Sequence, residues 1–178
     1  MIIFLVGYAG SGKSSLGKRL SRRLGVRYVD TDKLVESNEG ATIADIFYYE
    51  GESYFRQAER RAIESLALTG GNMVVATGGG LPTWQDNMEW LLGHGVTIYL
   101  SRQPEQILAR LSDFGRERRP MFRGKSDEEL LTFMREQMAE REPFYAKAHL
   151  SVDCSVRSDE EVVEYIVNRL INNDIDDE

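Results

Sequence analysis

The chain contains 178 residues, and its 22 Lys and Arg against 29 Asp and Glu give a net charge of −7. A typical domain has about 100–200 residues, so the length predicts one domain over residues 1–178. The acidic balance argues against a general nucleic-acid binder, and the single cysteine, Cys154, excludes an intramolecular disulfide. The apolar start, Met1–Val6, is far shorter than the ~20 residues of a membrane span. We therefore expect a cytoplasmic protein that contacts neither membranes nor nucleic acid.

Short apolar runs alternate along the chain with stretches of helical periodicity, which predicts an α/β fold with a parallel sheet covered by helices. The predicted strands are Ile2–Val6, Val26–Val29, Met73–Thr77, Val96–Leu100 and His149–Asp153. The predicted helices are Lys13–Leu24, a turn from Thr42 through Phe47, Glu52–Leu68, Thr83–Leu92, Pro104–Leu111, a helix that starts at Ser126 and ends before Pro143, and a last helix capped by Ser158. The stretch Asp113–Lys125 is rich in Arg and lacks apolar periodicity, so it predicts an exposed loop.

The segment Gly7–Ser14 reads Gly-Tyr-Ala-Gly-Ser-Gly-Lys-Ser and lies between a predicted strand and a predicted helix. It matches the phosphate-binding loop G-x-x-x-x-G-K-[ST]. Its glycines let successive backbone N–H groups face one phosphate, and the helix that follows contributes the partial positive charge of its N-terminus. In this pattern Lys13 reaches the β- and γ-phosphates, and the hydroxyl of Ser14 binds Mg²⁺. The sequence therefore predicts a nucleoside triphosphate site with Mg²⁺, on a three-layer P-loop NTPase fold with a five-stranded parallel sheet.

A pair of carboxylates is predicted after the second strand, at Asp30 and Asp32. The third strand does not end in the usual acidic residue but in Thr77 followed by three glycines, and the guanine signature Asn/Thr-Lys-x-Asp does not occur. Residues two apart in an extended chain point to the same side, so we expect both carboxylates to face one space. That space lies at the carboxyl edge of the sheet, where open α/β sheets bind ligands.

Several motifs occur in the order and spacing of the shikimate kinase family, which the chain resembles over nearly its whole length. The motifs are Gly-Ser-Gly-Lys-Ser (10–14), Asp-Thr-Asp (30–32), Ile-Ala-Asp-Ile-Phe (43–47), Phe-Arg-x-x-Glu (55–59), Gly-Gly-Gly (78–80), Arg-Pro (119–120) and Arg-x-Pro-x-Tyr (141–145). The resemblance implies ATP-dependent phosphorylation of the 3-hydroxyl of shikimate, a step of chorismate and aromatic amino-acid synthesis. It also implies Mg²⁺ as the cofactor and a monomeric enzyme.

The resemblance further implies which residues bind the acceptor. Shikimate carries one carboxylate, which planar guanidinium forks bind well, so Arg56 and Arg141 are the candidates. From helical spacing alone, Arg56 would be a surface residue paired with Glu59 or Glu52. A helical segment at about residues 31–69 would bind this substrate.

The transfer itself is assigned by the same resemblance. Asp32 would orient the attacking hydroxyl and take its proton, and Asp30 would serve the Mg²⁺, directly or through water. Gly78, Gly79 and Gly80 would let backbone N–H groups approach the ring closely, where a Cβ would collide.

The expected ATP-binding residues are Gly10, Ser11, Gly12, Lys13, Ser14, Ser15, Arg110, Arg119 and Arg157. The resemblance makes residues 113–125 a mobile lid from which Arg119 reaches the transferred phosphate. Arg110 would pack on adenine, with Arg157 as a second contact. Lys13, Asp32 and Arg119 would be the catalytic residues. At Tyr8 the chain departs from the common family pattern, and we expect its side chain to matter little.

Two other interpretations remain open at this point. A kinase of the same group could use another acceptor, such as gluconate or a nucleoside monophosphate. A non-catalytic ATP-binding sensor would retain the phosphate loop without the chemistry. Release of ADP in the presence of each acceptor separates the three.

Overall fold

The central feature of the fold is a five-stranded parallel sheet, which a computed structural model describes over residues 1–111 and 122–172. The strands are β1 (Ile2–Val6), β2 (Arg27–Asp30), β3 (Met73–Ala76), β4 (Val96–Ser101) and β5 (Leu150–Asp153). Their order across the sheet is β2-β3-β1-β4-β5. In the central register, Phe4 of β1 lies opposite Val75 of β3 on one side and Thr97 of β4 on the other. The predicted fold class is confirmed.

Helices cover both faces of the sheet. They are α1 (Lys13–Leu24), α2 (Thr31–Glu39), α3 (Ile43–Tyr49), α4 (Gly51–Thr69), α5 (Asn87–His94), α6 (Pro104–Arg110), α7 (Asp127–Tyr145) and α8 (Asp159–Asn172), with a 3₁₀ turn at Leu81–Thr83. No helix in the described part of the chain is long and apolar enough to cross a bilayer.

The continuous apolar run of β1 is explained by burial on both faces. Ile3 and Leu5 pack with α1 and α8 on one side, while Phe4 and Val6 pack with the helices on the other. All five residues of Ile2–Val6 are buried. This central strand therefore fixes the position of the phosphate loop that follows it.

Two helices differ from the sequence prediction. The sequence pattern predicts an extended chain at Asp30 and Asp32, but the helix α2 begins there at Thr31. The α7 helix was predicted to end before Pro143, yet it continues to Tyr145 with Pro143 inside it. Proline removes one backbone N–H and favours a break, but here it lies in the last turn, and buried Tyr145 anchors that turn against the core.

Smaller shifts occur at other element boundaries. The helix predicted at Thr83–Leu92 is a 3₁₀ turn followed by α5, which begins only at Asn87. The predicted loop 113–125 lies mostly outside the described residues, and its last residues lead into α7, where Phe122 is buried beside Leu130 and Met134.

Candidate functional site

The phosphate loop joins β1 to α1 at the carboxyl edge of the sheet. The Nζ of Lys13 is buried and donates to the carbonyls of Gly7, at 2.7 Å, and Tyr8, at 2.8 Å. The N-cap of α1 is Gly12, which supplies no side-chain hydrogen bond, and the first turn holds no acidic residue. The N-terminal amides and partial positive charge of α1 are therefore available to an anion.

Asp30 has a double role at the end of β2. Its Oδ1 accepts hydrogen bonds from the backbone N–H groups of Asp32, at 3.1 Å, and Lys33, at 3.5 Å, so it caps α2. Its Oδ2 accepts from the Ser14 hydroxyl at 3.0 Å. The expectation of an extended chain is therefore wrong: Asp32 lies in the first turn of a helix, and the cap, rather than strand alternation, brings both carboxylates to the same cleft.

The Asp32 side chain lies in the interior of this cleft. Burial and the neighbouring charge of Asp30 raise its pKa to about 6, while Lys13 acts in the opposite direction. A Cβ at Gly78 would lie 2.8 Å from Asp32 Oδ1, so the carboxylate and the glycine segment after β3 are in close contact. A carboxylate with this pKa is mostly ionised at neutral pH and is a suitable proton acceptor.

A second buried carboxylate, Glu59 of α4, lies beside the first. Its Oε2 accepts from Arg56 Nη1 at 2.6 Å, and Arg56 also meets Glu52 Oε1 at 3.3 Å. Burial raises the pKa of Glu59 to about 7, although Arg56 opposes the shift. Its Oε1 lies 2.7 Å from the Cβ position of Gly78, and within the described residues this atom has no hydrogen-bond partner.

Sequence reasoning did not assign Glu59 to the site and named it, or Glu52, only as an ion-pair partner of Arg56; the structure has both ion pairs. A signal was present, because Glu59 falls on the buried stripe of α4. That stripe contains Phe55, Ala58, Glu59, Ala62, Ile63 and Leu66. A carboxylate on such a stripe needs a polar partner, and a nearby ligand site is one reason for its presence.

The glycine segment between β3 and the 3₁₀ turn contacts both expected clamp arginines. A Cβ at Gly80 would lie 2.5 Å from Arg56 Nη2 and 2.7 Å from Nη1. A Cβ at Gly79 would lie 3.5 Å from Arg141 Nη1. The Tyr145 hydroxyl donates to the Gly79 carbonyl at 2.5 Å and fixes the segment to α7. The two guanidinium groups, predicted from distant parts of the sequence, thus face one short loop.

Of the three arginines predicted to bind ATP, two lie near the phosphate-loop end of the site and one lies outside the described residues. Arg110 is 43% exposed and faces Asp159 at 3.5 Å. Arg157 lies over the Tyr165 ring at 4.8 Å, and its Nη1 donates to the Asp153 carbonyl at 3.2 Å. The expected catalytic Arg119 belongs to residues 112–121, which lie outside the described part of the chain.

The phosphate loop, the two aspartates and part of the glycine segment line a cleft with a volume of 360 Å³, whereas Arg56, Glu59 and Arg141 are not among its lining residues. The lining residues are Ala9, Gly10, Gly12, Lys13, Ser14, Ser15, Asp30, Asp32, Thr77, Gly78, Gly79, Ile107, Arg110 and Leu111. Arg157 is not among them, whereas Arg110 is. Ser15 reaches the cleft at its mouth, although its hydroxyl donates to the Gly12 carbonyl at 3.0 Å. The cleft therefore joins a phosphate-binding loop to two carboxylates at the edge of one sheet.

Comparison with known proteins places this cleft in a family. The family model described as shikimate kinase matches residues 9–171. A shikimate kinase of Symbiobacterium thermophilum is 42% identical over 171 residues, which is 96% of this chain and 96% of that protein. One from Bacteroides thetaiotaomicron is 36% identical over 168 residues, covering 94% of this chain and 95% of that protein.

Solved structures agree with the sequence comparison. The crystal structure of shikimate kinase from Bacteroides thetaiotaomicron superposes with a TM-score of 0.87 at 32% identity, covering 96% of this chain and 98% of that chain. The shikimate kinase of Acinetobacter baumannii in complex with shikimate gives a TM-score of 0.85 at 32% identity, covering 97% and 93%. A deoxyadenosine kinase from M. mycoides, at 16% identity and a TM-score of 0.62, shares the fold alone.

Proposed function

The chain belongs to the shikimate kinase family and is an ATP-dependent kinase, and we propose that it transfers the γ-phosphate of ATP to the 3-hydroxyl of shikimate within the cleft described above. The proposal rests on one observation: the phosphate loop lies beside the glycine segment 78–80, and four charged side chains surround that segment. They are the carboxylates of Asp32 and Glu59 and the guanidinium groups of Arg56 and Arg141. An acid with a hydroxyl to be phosphorylated needs each of these groups.

At the nucleotide end, we propose that Lys13 and the amides of residues 10–15 bind the phosphates. Two carbonyls of the loop itself hold Lys13 Nζ, so the loop sets the position of this ammonium group at the cradle. The exposed Arg110 at the cleft mouth is the proposed base contact, and Arg157 a second one further out. Arg119 is proposed to reach the transferred phosphate from a lid at residues 113–125.

The oxygen ligands of Ser14 and Asp30 fit Mg²⁺, which prefers oxygen and typically uses one or two carboxylates plus substrate phosphates. Within the described residues no group of three or more His, Cys, Asp or Glu side chains could hold a metal by itself. We therefore propose that the metal arrives with ATP. When bound, Mg²⁺ neutralises charge on the phosphates.

At the acceptor end, we propose that Arg56 and Arg141 bind the carboxylate of shikimate. Arg56 is partly neutralised by Glu59, whereas Arg141 forms no ion pair with a carboxylate of the described chain. Asp32 is proposed to accept a hydrogen bond from the 3-hydroxyl and hold its oxygen toward the γ-phosphate. It would take the proton as the new oxygen–phosphorus bond forms, while the bond from the γ-phosphorus to the bridging oxygen breaks and ADP leaves. Phosphoryl transfer has a loose transition state, so this orientation matters more than strong base catalysis.

We further propose that one copy of the chain, as a single P-loop kinase domain over residues 1–178, forms the whole site. The phosphate loop, Asp30, Asp32 and the glycine segment of one copy meet at one edge of its sheet, and this convergence supports the proposal. The use of ATP and a free, buried Cys154 support action in the cytoplasm, where thiols stay reduced.

The test is ADP release with ATP·Mg²⁺ and a panel of shikimate, gluconate and nucleoside monophosphates. We expect ADP release with shikimate only. Two guanidinium groups favour a carboxylic acid over a nucleoside monophosphate, and membership of the family favours shikimate over gluconate, which is also an acid. A Lys13→Ala variant, purified in the same way, controls for contaminating kinases and should release no ADP. Activity with gluconate alone would contradict the choice of acceptor. If no member of the panel causes ADP release, the result would support the sensor alternative.

A further inference from the structure

Tyr8, the second residue of the phosphate loop, has an unusual position for a loop side chain. It is only 2% exposed and packs with Ile107 of α6, with Phe122 in the segment before α7, and with apolar residues of α7. Its ring lies against the guanidinium of Arg141, with 5.6 Å between Arg141 Cζ and the ring centroid. The side chain of a nucleotide-binding loop therefore contacts the proposed carboxylate ligand.

The contact is fixed at both ends of the ring. The Tyr8 hydroxyl donates to Gln137 Oε1 at 2.8 Å, and Gln137 precedes Arg141 by four residues on the same face of α7. At the backbone, the Tyr8 carbonyl accepts from Lys13 Nζ at 2.8 Å and from Ser11 N–H at 3.2 Å. The ring is thus held between the loop and the helix, and it cannot turn away from Arg141 without breaking the bond to Gln137.

Arg141 needs such support more than Arg56 does. Arg56 is oriented by hydrogen bonds to Glu59 and Glu52. Arg141 forms no ion pair with the carboxylates of the described chain; its guanidinium lies against the Tyr8 ring, near the Gly79 backbone and beside the Tyr145 hydroxyl. An aromatic face attracts a guanidinium by a cation–π interaction without neutralising its charge. The full charge of Arg141 stays available to a substrate carboxylate.

We propose that Tyr8 is a positioning residue for Arg141 and so determines the affinity of the kinase for its acidic acceptor, although Tyr8 lies in the nucleotide loop. This inference rests on the proposed function, because it takes Arg141 as a ligand of the shikimate carboxylate. It replaces the expectation from sequence that the side chain at position 8 matters little.

The first experiment separates the acceptor from the nucleotide. Tyr8→Leu removes the aromatic face, and we expect the KM for shikimate to rise about 5- to 20-fold, the range of a partly desolvated cation–π contact. The KM for ATP should change by less than about twofold, because the Tyr8 backbone carbonyl remains. Tyr8→Phe is the matched control, since it keeps the ring and loses only the bond to Gln137; its KM for shikimate should stay within about twofold of wild type.

A double-mutant cycle distinguishes positioning from a general packing role. In an Arg141→Lys background, Tyr8→Leu should raise the KM for shikimate by no more than about twofold, because the guanidinium that it positions is already gone. Thermal unfolding of each variant checks folding, and Tyr8→Met, which keeps apolar volume, is the second variant if Tyr8→Leu does not fold.

Three results would overturn the inference: an unchanged KM for shikimate in Tyr8→Leu or Tyr8→Met, an equal rise in the KM for ATP, or the same effect of the substitution with Arg141 and with Lys at position 141. A loss of affinity in Tyr8→Phe equal to that of Tyr8→Leu would also overturn it, because the hydroxyl and not the ring would then be responsible. A wild-type chain without activity on shikimate would instead refute the proposed function, so the two failures are distinguishable.

Discussion

Two carboxyl groups, the half-buried Asp32 and the buried Glu59, have pKa values raised to about 6 and about 7, chiefly by desolvation. Both lie within 3 Å of the same Cβ position at Gly78, so neither can ionise without affecting the other. A carboxyl group of this kind opposes folding once it ionises, because the unfolded chain solvates its charge better. Their retention in the interior is therefore explained by function rather than by stability.

Asp32→Asn should abolish shikimate-dependent ADP release and also stabilise the fold at neutral pH. The folded-state pKa of Asp32 is about 6, against an ordinary aspartate value of 3.8, so folding favours the neutral form of its carboxyl group. That stabilisation is complete below about pH 4 and is lost as the pH rises through 6. At pH 8 we expect the free energy of unfolding of the variant to exceed that of wild type by about 1–2 kcal/mol. This is less than the energy that the whole pKa shift corresponds to, at about 1.4 kcal/mol per pKa unit.

Urea unfolding at pH 8 and at pH 4 measures this difference, which should narrow at the lower pH. Glu140→Gln is the matched control, because Glu140 is an exposed carboxyl on α7 that does not line the cleft; it should change neither turnover nor stability. Near-normal turnover in Asp32→Asn would remove Asp32 from the mechanism. A variant less stable than wild type at both pH values would instead show that Asp32 is a structural group.

At the scale of elements, the sequence predicted the parts of the site with a strong local pattern. The apolar run of β1 and the glycine spacing at residues 7–14 have few alternative structures, so both were predicted correctly. The α2 helix was missed because its start depends on the Asp30 side chain capping its own chain, which resembles a strand end when only spacing is considered. The hydrogen bonds of this cap are local, and they start a helix where strand alternation would continue an extended chain.

Contacts between distant elements could not be predicted by residue spacing. The stacking of Arg141 of α7 on Tyr8 joins segments more than 130 residues apart, and it depends on how helices pack over the sheet edge. Glu59 is similar: its burial on α4 was visible as a stripe, but its approach to Gly78 depends on the order of β2 and β3 in the sheet. Resemblance to a family supplied Arg56 and Arg141, whereas helical spacing alone made Arg56 an ion-paired surface residue.

The glycine segment gives a prediction that separates site geometry from folding. Gly80 has φ −88° and ψ −13°, which alanine adopts without strain. A Cβ there would meet the Arg56 guanidinium at 2.5 Å, and this group, at the end of a flexible side chain, can move away. Gly80→Ala should therefore raise the KM for shikimate about tenfold or more by displacing Arg56, while the melting temperature changes by less than about 3 °C.

Gly93→Ala is the matched control for this substitution. Gly93 lies in α5, and a Cβ there would meet no atom within 4 Å. Alanine is the better helix former, so we expect this variant to be about 0.5–1 kcal/mol more stable with unchanged kinetic constants. Steady-state kinetics and thermal unfolding of both variants make the comparison. An unchanged KM for shikimate in Gly80→Ala would show that Arg56 does not bind the acceptor from its position beside Gly80.

At the scale of the whole molecule, the net charge of −7 is unevenly distributed along the chain. Most of it lies in the last helix and the tail, at residues 154–178, and the rest of the chain is nearly neutral. The cleft itself is lined by both signs of charge, with Lys13 and Arg110 as cations and Asp30 and Asp32 as carboxylates. Acidic groups beside a phosphate site repel a bare anion, so the site as a whole favours a nucleotide that carries its own cation.

This charge distribution leads to a prediction for metal removal. The cores on both faces of the sheet are apolar, and within residues 1–111 and 122–172 no cluster of three or more acidic, His or Cys side chains could hold an ion alone. EDTA in excess over Mg²⁺ should therefore leave the melting temperature of the nucleotide-free protein within about 1 °C, since no folded-state metal is removed. Under the same conditions ADP release should fall more than about 100-fold, because the phosphate charge is no longer neutralised.

The decisive comparison is stability with and without nucleotide. A ligand at 100 times its Kd raises the free energy of unfolding by about 2.7 kcal/mol. ATP with Mg²⁺ should give a clear rise in melting temperature, and ATP with EDTA a smaller one, because Asp30 then faces an uncompensated phosphate. A fall in melting temperature on adding EDTA without nucleotide would mean that the fold holds a metal of its own, which neither Ser14 nor Asp30 can hold without the phosphates of ATP.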